Sequence, residues 1–142
     1  MTQTTTAADN LLKLVLNATN WANIADNASS SPLTNIYVSL HTASPGVTGT
    51  QQTNEAAYTS YARVAVARTS GGWTVTNNTA VPAAQITFAA ATGGSETETF
   101  VGLGWASSGA GVLYWYGSIS PTIAVSGGVT PALTTATTIT GT

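Results

Sequence analysis

"NIYVSLH", residues 35–41, decides the fold class. Ile36, Val38 and Leu40 point one way and Tyr37, Ser39 and His41 the other, the period of two that a half-buried strand requires. The alternation recurs downstream. Ala62, Val64 and Val66 stand against Tyr61, Arg63 and Ala65, and Trp73 and Val75, Ile86 and Phe88, then Val101, Leu103 and Trp105 repeat it. The aromatic run "GVLYWYGSI" (111–119) follows, then "PTIAV" (121–125) and "TTATTIT" (134–140). Turn-forming clusters such as "SPGVTG" (44–49), "SGG" (70–72), "ATGGS" (91–95) and "SSGAG" (107–111) separate these runs. Seven or eight short strands so punctuated predict a mainly β protein, an antiparallel β-sandwich or barrel over residues 34–142.

Upstream the period is that of a helix. In "TTTAADNLLKLVLNATNWANIADN" (4–27), Thr6 to Asp9 read as a capping box. Leu11, Leu14, Val15, Ala18 and Trp21 then recur at helical spacing, and Leu12 and Leu16 widen the stripe. One N-terminal α-helix over 6–26 is expected, ended by "NASSSP" and Pro32. A stripe this wide makes Leu11, Leu12, Leu16 and Trp21 candidates for contact with a partner subunit. No repeat, heptad or long linker divides the 142 residues, so one domain over 1–142 is expected. The loop from Thr42 to Thr59 is long for a compact domain, and such loops often cover something.

Composition excludes several classes. With no cysteine there is no disulfide scaffold, thiol catalysis or Cys-zinc site. Charged residues are only 6% of the chain, against about a quarter in typical soluble proteins. Lys13, Arg63 and Arg68, the three basic residues, cannot build a nucleic-acid footprint. "LLKLVL" (11–16) is too short to span a membrane or serve as a signal core. Threonine, the commonest residue, must carry solubility, and a nearly chargeless surface suits an assembly in which it is covered.

Candidate chemistry is sparse. His41, the only histidine, lacks a second ligand, and Ser39 beside it on one strand face is not a nucleophile-elbow geometry. It reads as a polar residue at a strand end, packing with the long loop that follows. Glu96 and Glu98 share a face in "SETETF" and point the same way, so they cannot flank a sugar; a solvated or edge-protecting pair is expected. No glycine cluster matches a phosphate-binding loop. No catalytic residue, metal ligand, cofactor or small-molecule substrate is expected. Glu55 and Arg63 lie close enough to form a structural ion pair. Trp115 is expected in the core, while Tyr114 and Tyr116 share the outer face, as cross-strand packing or as contact anchors for a partner, with sugar stacking the sharper alternative.

A longer pattern runs through "LLKLVLNATNWANIADNAS", "LHTASPG", "TNEAAYTSYARVAVAR", "ITFAAATGGSETETF" and "SSGAGVLYWYG". It resembles a family of small tailed-phage virion proteins commonly labelled tail fibre proteins. The resemblance implies a structural, non-enzymatic virion component. For so small a β-rich chain it implies a capsid decoration or cement protein, a homotrimer on the head contacting the major capsid protein. A tail fibre or tail-tip protein binding a host receptor or glycan is the alternative.

Overall fold

The structure, a computed structural model, describes residues 5–21 and 33–141. Its elements run α1 (Thr5–Leu16), β1 (Asn35–His41), β2 (Val64–Ala67), β3 (Trp73–Thr76), β4 (Thr79–Pro82), β5 (Ile86–Thr87), β6 (Ser95–Gly104), β7 (Leu113–Ser126), β8 (Ala132–Leu133) and β9 (Ile139–Thr140). They form sheets of order β2-β1-β6-β7, β3-β4-β9 and β5-β8. The fold is mainly β and sandwich-like with one N-terminal helix, and no sheet closes into a barrel. Two compact units divide the chain: Met1–Asn35, Val66–Ile86 and Leu133–Thr142 in the first, Ile36–Ala65 and Thr87–Ala132 in the second.

In the first unit α1 packs on β3 and β4. Ala8, Leu12 and Leu16, spaced four apart and therefore on one helix face, are all buried. Trp73, Ala80 and Ile139 supply buried strand side chains of the same unit. Burying each leucine contributes about 1.5–3 kcal/mol. The helix ends at Leu16, ten residues short of the expected limit; 17–21 are not helical, and 22–26 lie outside the described residues. Ala18 in the left-handed region (φ 51°) reverses the chain, and the amides of Asn17 and Thr19 both donate to the Lys13 carbonyl. Arg68 secures that end: it donates to the carbonyls of Leu14 (2.7 Å), Val15 (2.5 Å) and Leu33 (2.5 Å). A buried guanidinium thus satisfies carbonyls that a helix C-terminus leaves without partners. The expected capping box is not formed as read. Thr6 lies inside the helix, and the Asp9 carboxylate takes Lys13 one turn on, at 2.8 Å.

The second unit is built on β6. It pairs antiparallel with β1 (Val38 opposite Leu103, His41 opposite Phe100) and with β7 (Leu103 opposite Trp115, Glu98 opposite Ile123). The 42–59 loop covers the face on which Ser39, His41, Gly102 and Gly104 lie, with Thr53 against His41 and Gln51 against Gly104. Hence Val101 to Gly104 are all buried, and so are Val38 to His41, where half were expected outside. The runs 111–119 and 121–125, read as two strands, are one strand. Opposite the two-residue step from Glu98 to Phe100, β7 advances five residues from Ser118 to Ile123, so an excursion interrupts the ladder without ending it. β4, "TAVP", was not expected as a strand, because Pro82 and the turn residues before it masked a four-residue element.

Candidate contact surface

Four exposed apolar side chains of the second unit gather at its outer strand, and a fifth, Val47, is on the 42–59 loop. Trp105 and Val112 flank the 105–112 connection, and Tyr114 and Tyr116 alternate along β7; all four are exposed. Trp115, expected in the core, is only half-buried. The buried tryptophan is Trp73.

Buried polar side chains fix the connection beneath this surface. Glu55 and Arg63 form a two-pronged pair, Nε to Oε1 at 2.6 Å and Nη2 to Oε2 at 2.7 Å. The same guanidinium donates to the carbonyls of Ala106 (2.9 Å) and Gly109 (2.6 Å). Tyr61 links this pair to β1: its hydroxyl donates to Glu55 (3.1 Å) and accepts from the Leu40 amide (3.0 Å). Gln51, fully buried, accepts from the Ala106 amide at 2.9 Å and donates to the Tyr37 carbonyl at 3.3 Å, while its own amide donates to the Gly111 carbonyl. The long 42–59 loop is therefore a clamp on the 105–112 connection. Such planar, charge-assisted bonds hold one geometry and present Trp105 and Val112 on a rigid base.

His41 is no outer-face residue; it is fully buried. Its Nδ1 lies 2.9 Å from the Thr53 carbonyl, which can only accept, so Nδ1 carries the proton and Nε2 accepts from the Ser39 hydroxyl at 2.9 Å. Burial lowers its pKa below the usual 6.5, against the opposing pull of the Thr53 carbonyl and Glu55. Ser39 is equally buried, so this serine–histidine contact faces no substrate and ties the loop to the sheet. Gly102 makes room for it: a Cβ there would meet His41 Nε2 at 2.6 Å and Ser39 Oγ at 2.8 Å. Gly104 and Gly111 play the same part for Gln51.

The two glutamates are not a solvated pair. Glu96 accepts from the amides of Ala57 and Tyr58, both at 2.8 Å, fastening the loop to β6. Glu98 is fully buried, its carboxyl beside that of Glu96. Burial pushes its carboxyl up to about 8, and the neighbouring Glu96 carboxylate pushes the same way. Tyr58 is pushed up to about 12, by burial first and by Glu98 and Glu96 second.

Of the candidate partner-binding residues, Tyr114 and Tyr116 are open. Leu12 and Leu16 are not: they face inward as core, because the helix turns its Ala8–Leu12–Leu16 side to the strands. Leu11 and Trp21 are half-buried. Gln51, Gly102 and Gly104 went unremarked in the sequence, although glycines alternating with Val101 and Leu103 signal a close approach of another group. No group of three or more His, Cys, Asp or Glu that could hold a metal occurs among the described residues.

No curated protein matches the chain. The family model described as Podophage GP4 fiber I protein gp80 matches residues 3–140, nearly the whole length. The chain therefore belongs to this family of phage fibre-type structural proteins.

Proposed function

We propose that the chain is a non-enzymatic fibre component of the phage tail, making protein contacts through the exposed strand of its second unit. The family match over residues 3–140 carries this reading, because the family is described as a fibre protein. That description supports the tail fibre reading better than the capsid decoration expected from size and composition. A head location would have required the major capsid protein as partner; a tail location calls for neighbouring tail proteins instead. The chemistry of the interior supports a structural role. His41, Ser39 and Glu98 are fully buried, and Glu55 and Arg63 are engaged in holding loops. A general base must reach its substrate's proton within hydrogen-bond distance, and these groups are shut away from it.

Immunogold labelling of intact virions tests the reading. Gold at the tail supports it. Gold spread over the head overturns it and restores the decoration assignment, with the capsid protein as partner.

A further inference from the structure

We propose that Glu96 and Glu98 form a proton latch: one proton between their carboxyl groups keeps Ala57 and Tyr58 fastened to β6, and its loss lets that segment lift away. The proposal concerns the attachment of the 42–59 loop and does not depend on where in the virion the chain sits.

The geometry isolates the segment. On one side of it the Ala56 amide donates to the Leu40 carbonyl at 2.8 Å. On the other, the Thr59 amide donates to the Gly93 carbonyl at 2.9 Å, and the Thr92 amide donates to the Thr59 carbonyl at 3.0 Å. Between these anchors the amides of Ala57 and Tyr58 both donate to one atom, Oε1 of Glu96, at 2.8 Å. Such bonds draw their strength from the charge of the carboxylate. Ser60, next along, stands at φ 83°, a conformation disfavoured for a residue with a Cβ, so the fastened segment is held against a local preference.

Glu98 lies two residues beyond Glu96, fully buried and with its carboxyl beside that of Glu96. Its surroundings supply no counter-charge. The loop brings Tyr58, 3% exposed, whose pKa both acids push up, and further back Glu55, which is paired with Arg63. β1 brings His41 opposite Phe100, its ring nitrogens taken by Thr53 and Ser39. β7 sets Ile123 opposite Glu98 and Val125 opposite Glu96. Lys13 and Arg68 are engaged elsewhere, with Asp9 and with three carbonyls. Two carboxylates side by side and enclosed without a cation do not both ionise, so the pair keeps one proton. Neutral Glu98 donates to Glu96, and Glu96 keeps its charge for the two amides. The rise of the Glu98 pKa to about 8 has burial as its first cause and Glu96 as its second. Once the proton leaves, like charges face each other away from water. β6 is bonded to β7 along both acids and stays in place, whereas the cover is held by the carboxylate that the new charge repels.

Amide hydrogen exchange read by NMR between pH 6.5 and 8 tests the latch, each rate being divided by the intrinsic rate at that pH. In the wild type the corrected rates at Ala57 and Tyr58 are expected to rise about tenfold per pH unit, because one proton is lost on opening. Low urea should leave them unchanged, since a local opening exposes little surface. Amides of the β1–β6 ladder, which open only with the fold, should exchange more slowly and speed up in urea. Glu98→Gln, whose amide donates to Glu96 at every pH, should hold Ala57 and Tyr58 at one corrected rate across the range. Level rates in the wild type, a rise that persists in Glu98→Gln, or acceleration by urea equal to that of the ladder overturns the proposal. If Glu98→Gln does not fold, the pH slope and urea response of the wild type decide it.

Discussion

Glu98 gives the fold its pH dependence. Its folded-state pKa is raised from the usual 4.5 to about 8, so between those values the folded chain holds a proton that the unfolded chain releases. Its stabilising effect is complete below 4.5, declines as pH rises and is gone above about 8, with a slope approaching ~1.4 kcal/mol per pH unit. His41 acts in the opposite sense. Its pKa is lowered from 6.5, so its contribution is present above 6.5 and fades as pH falls below it. The two slopes oppose each other below 6.5 and leave Glu98 alone above it. Thermal midpoints by circular dichroism should accordingly fall from pH 6.5 to 8 in the wild type. Glu98→Gln, which keeps the shape without the ionisation, should be level there and decline only below 6.5. A wild-type midpoint that stays constant from 6.5 to 8 would show that the carboxyl reaches water. Nothing in "SETETF" announces this, because two acids alternating along a strand look like a solvated face; the 42–59 loop, fastened to Glu96 and carrying buried Tyr58 close to both acids, comes from 39 residues upstream.

At the scale of elements, the contact between β1 and β6 depends on a missing side chain. Gly102→Ala would put a methyl against His41, Ser39 and Leu113 at 2.6–2.8 Å and is expected to cost about 1–3 kcal/mol in urea unfolding. Gly117→Ala, on β7 opposite Val101, meets open space and should stay within about 0.5 kcal/mol of wild type. Equal losses at the two positions would mean that strand glycines matter here for backbone freedom alone. The loop clamp gives a second comparison. Arg63→Met leaves Glu55 without its charge partner and the carbonyls of Ala106 and Gly109 without a donor, so about 3–5 kcal/mol should be lost. Lys13→Met, which breaks a half-exposed pair on α1, should cost no more than about 0.5 kcal/mol. A small effect at Arg63 would show that the 42–59 loop holds the 105–112 connection by packing. The alternation of β1 and the turns around it were legible because each rests on neighbours in sequence. The end of α1 was not, since Arg68, which secures it, is 52 residues beyond Leu16.

On the scale of the whole molecule, the low charge content acquires a meaning that composition could not give. Among the described residues nearly every charge is committed internally. Arg63 is locked to Glu55, Arg68 to three carbonyls and Glu96 to two amides, while Glu98 is buried; only the Asp9–Lys13 pair has much solvent around it. Composition pointed to a chargeless surface suited to assembly, and the spacing of Glu55 and Arg63 to their pair, but not to charges spent on a helix end and on the 105–112 connection, because those partnerships join residues 35 to 54 positions apart. The consequence is an insensitivity to salt. Raising NaCl shortens the screening length to about 3 Å at 1 M, yet charges already enclosed by protein are screened little. With one exposed pair contributing about 0.3–0.5 kcal/mol, the thermal midpoint should move by no more than about 2 °C between dilute buffer and 1 M NaCl. Ammonium sulfate at equal ionic strength should raise it more, because an excluded salt strengthens apolar burial whatever the charges do. Differential scanning calorimetry in the two salts separates these effects. A midpoint that drops steeply in NaCl would mean that the Glu55–Arg63 and Arg68 contacts are open to solvent, and the clamp on the 105–112 connection would then be too loose to present Trp105 and Val112 in a fixed geometry.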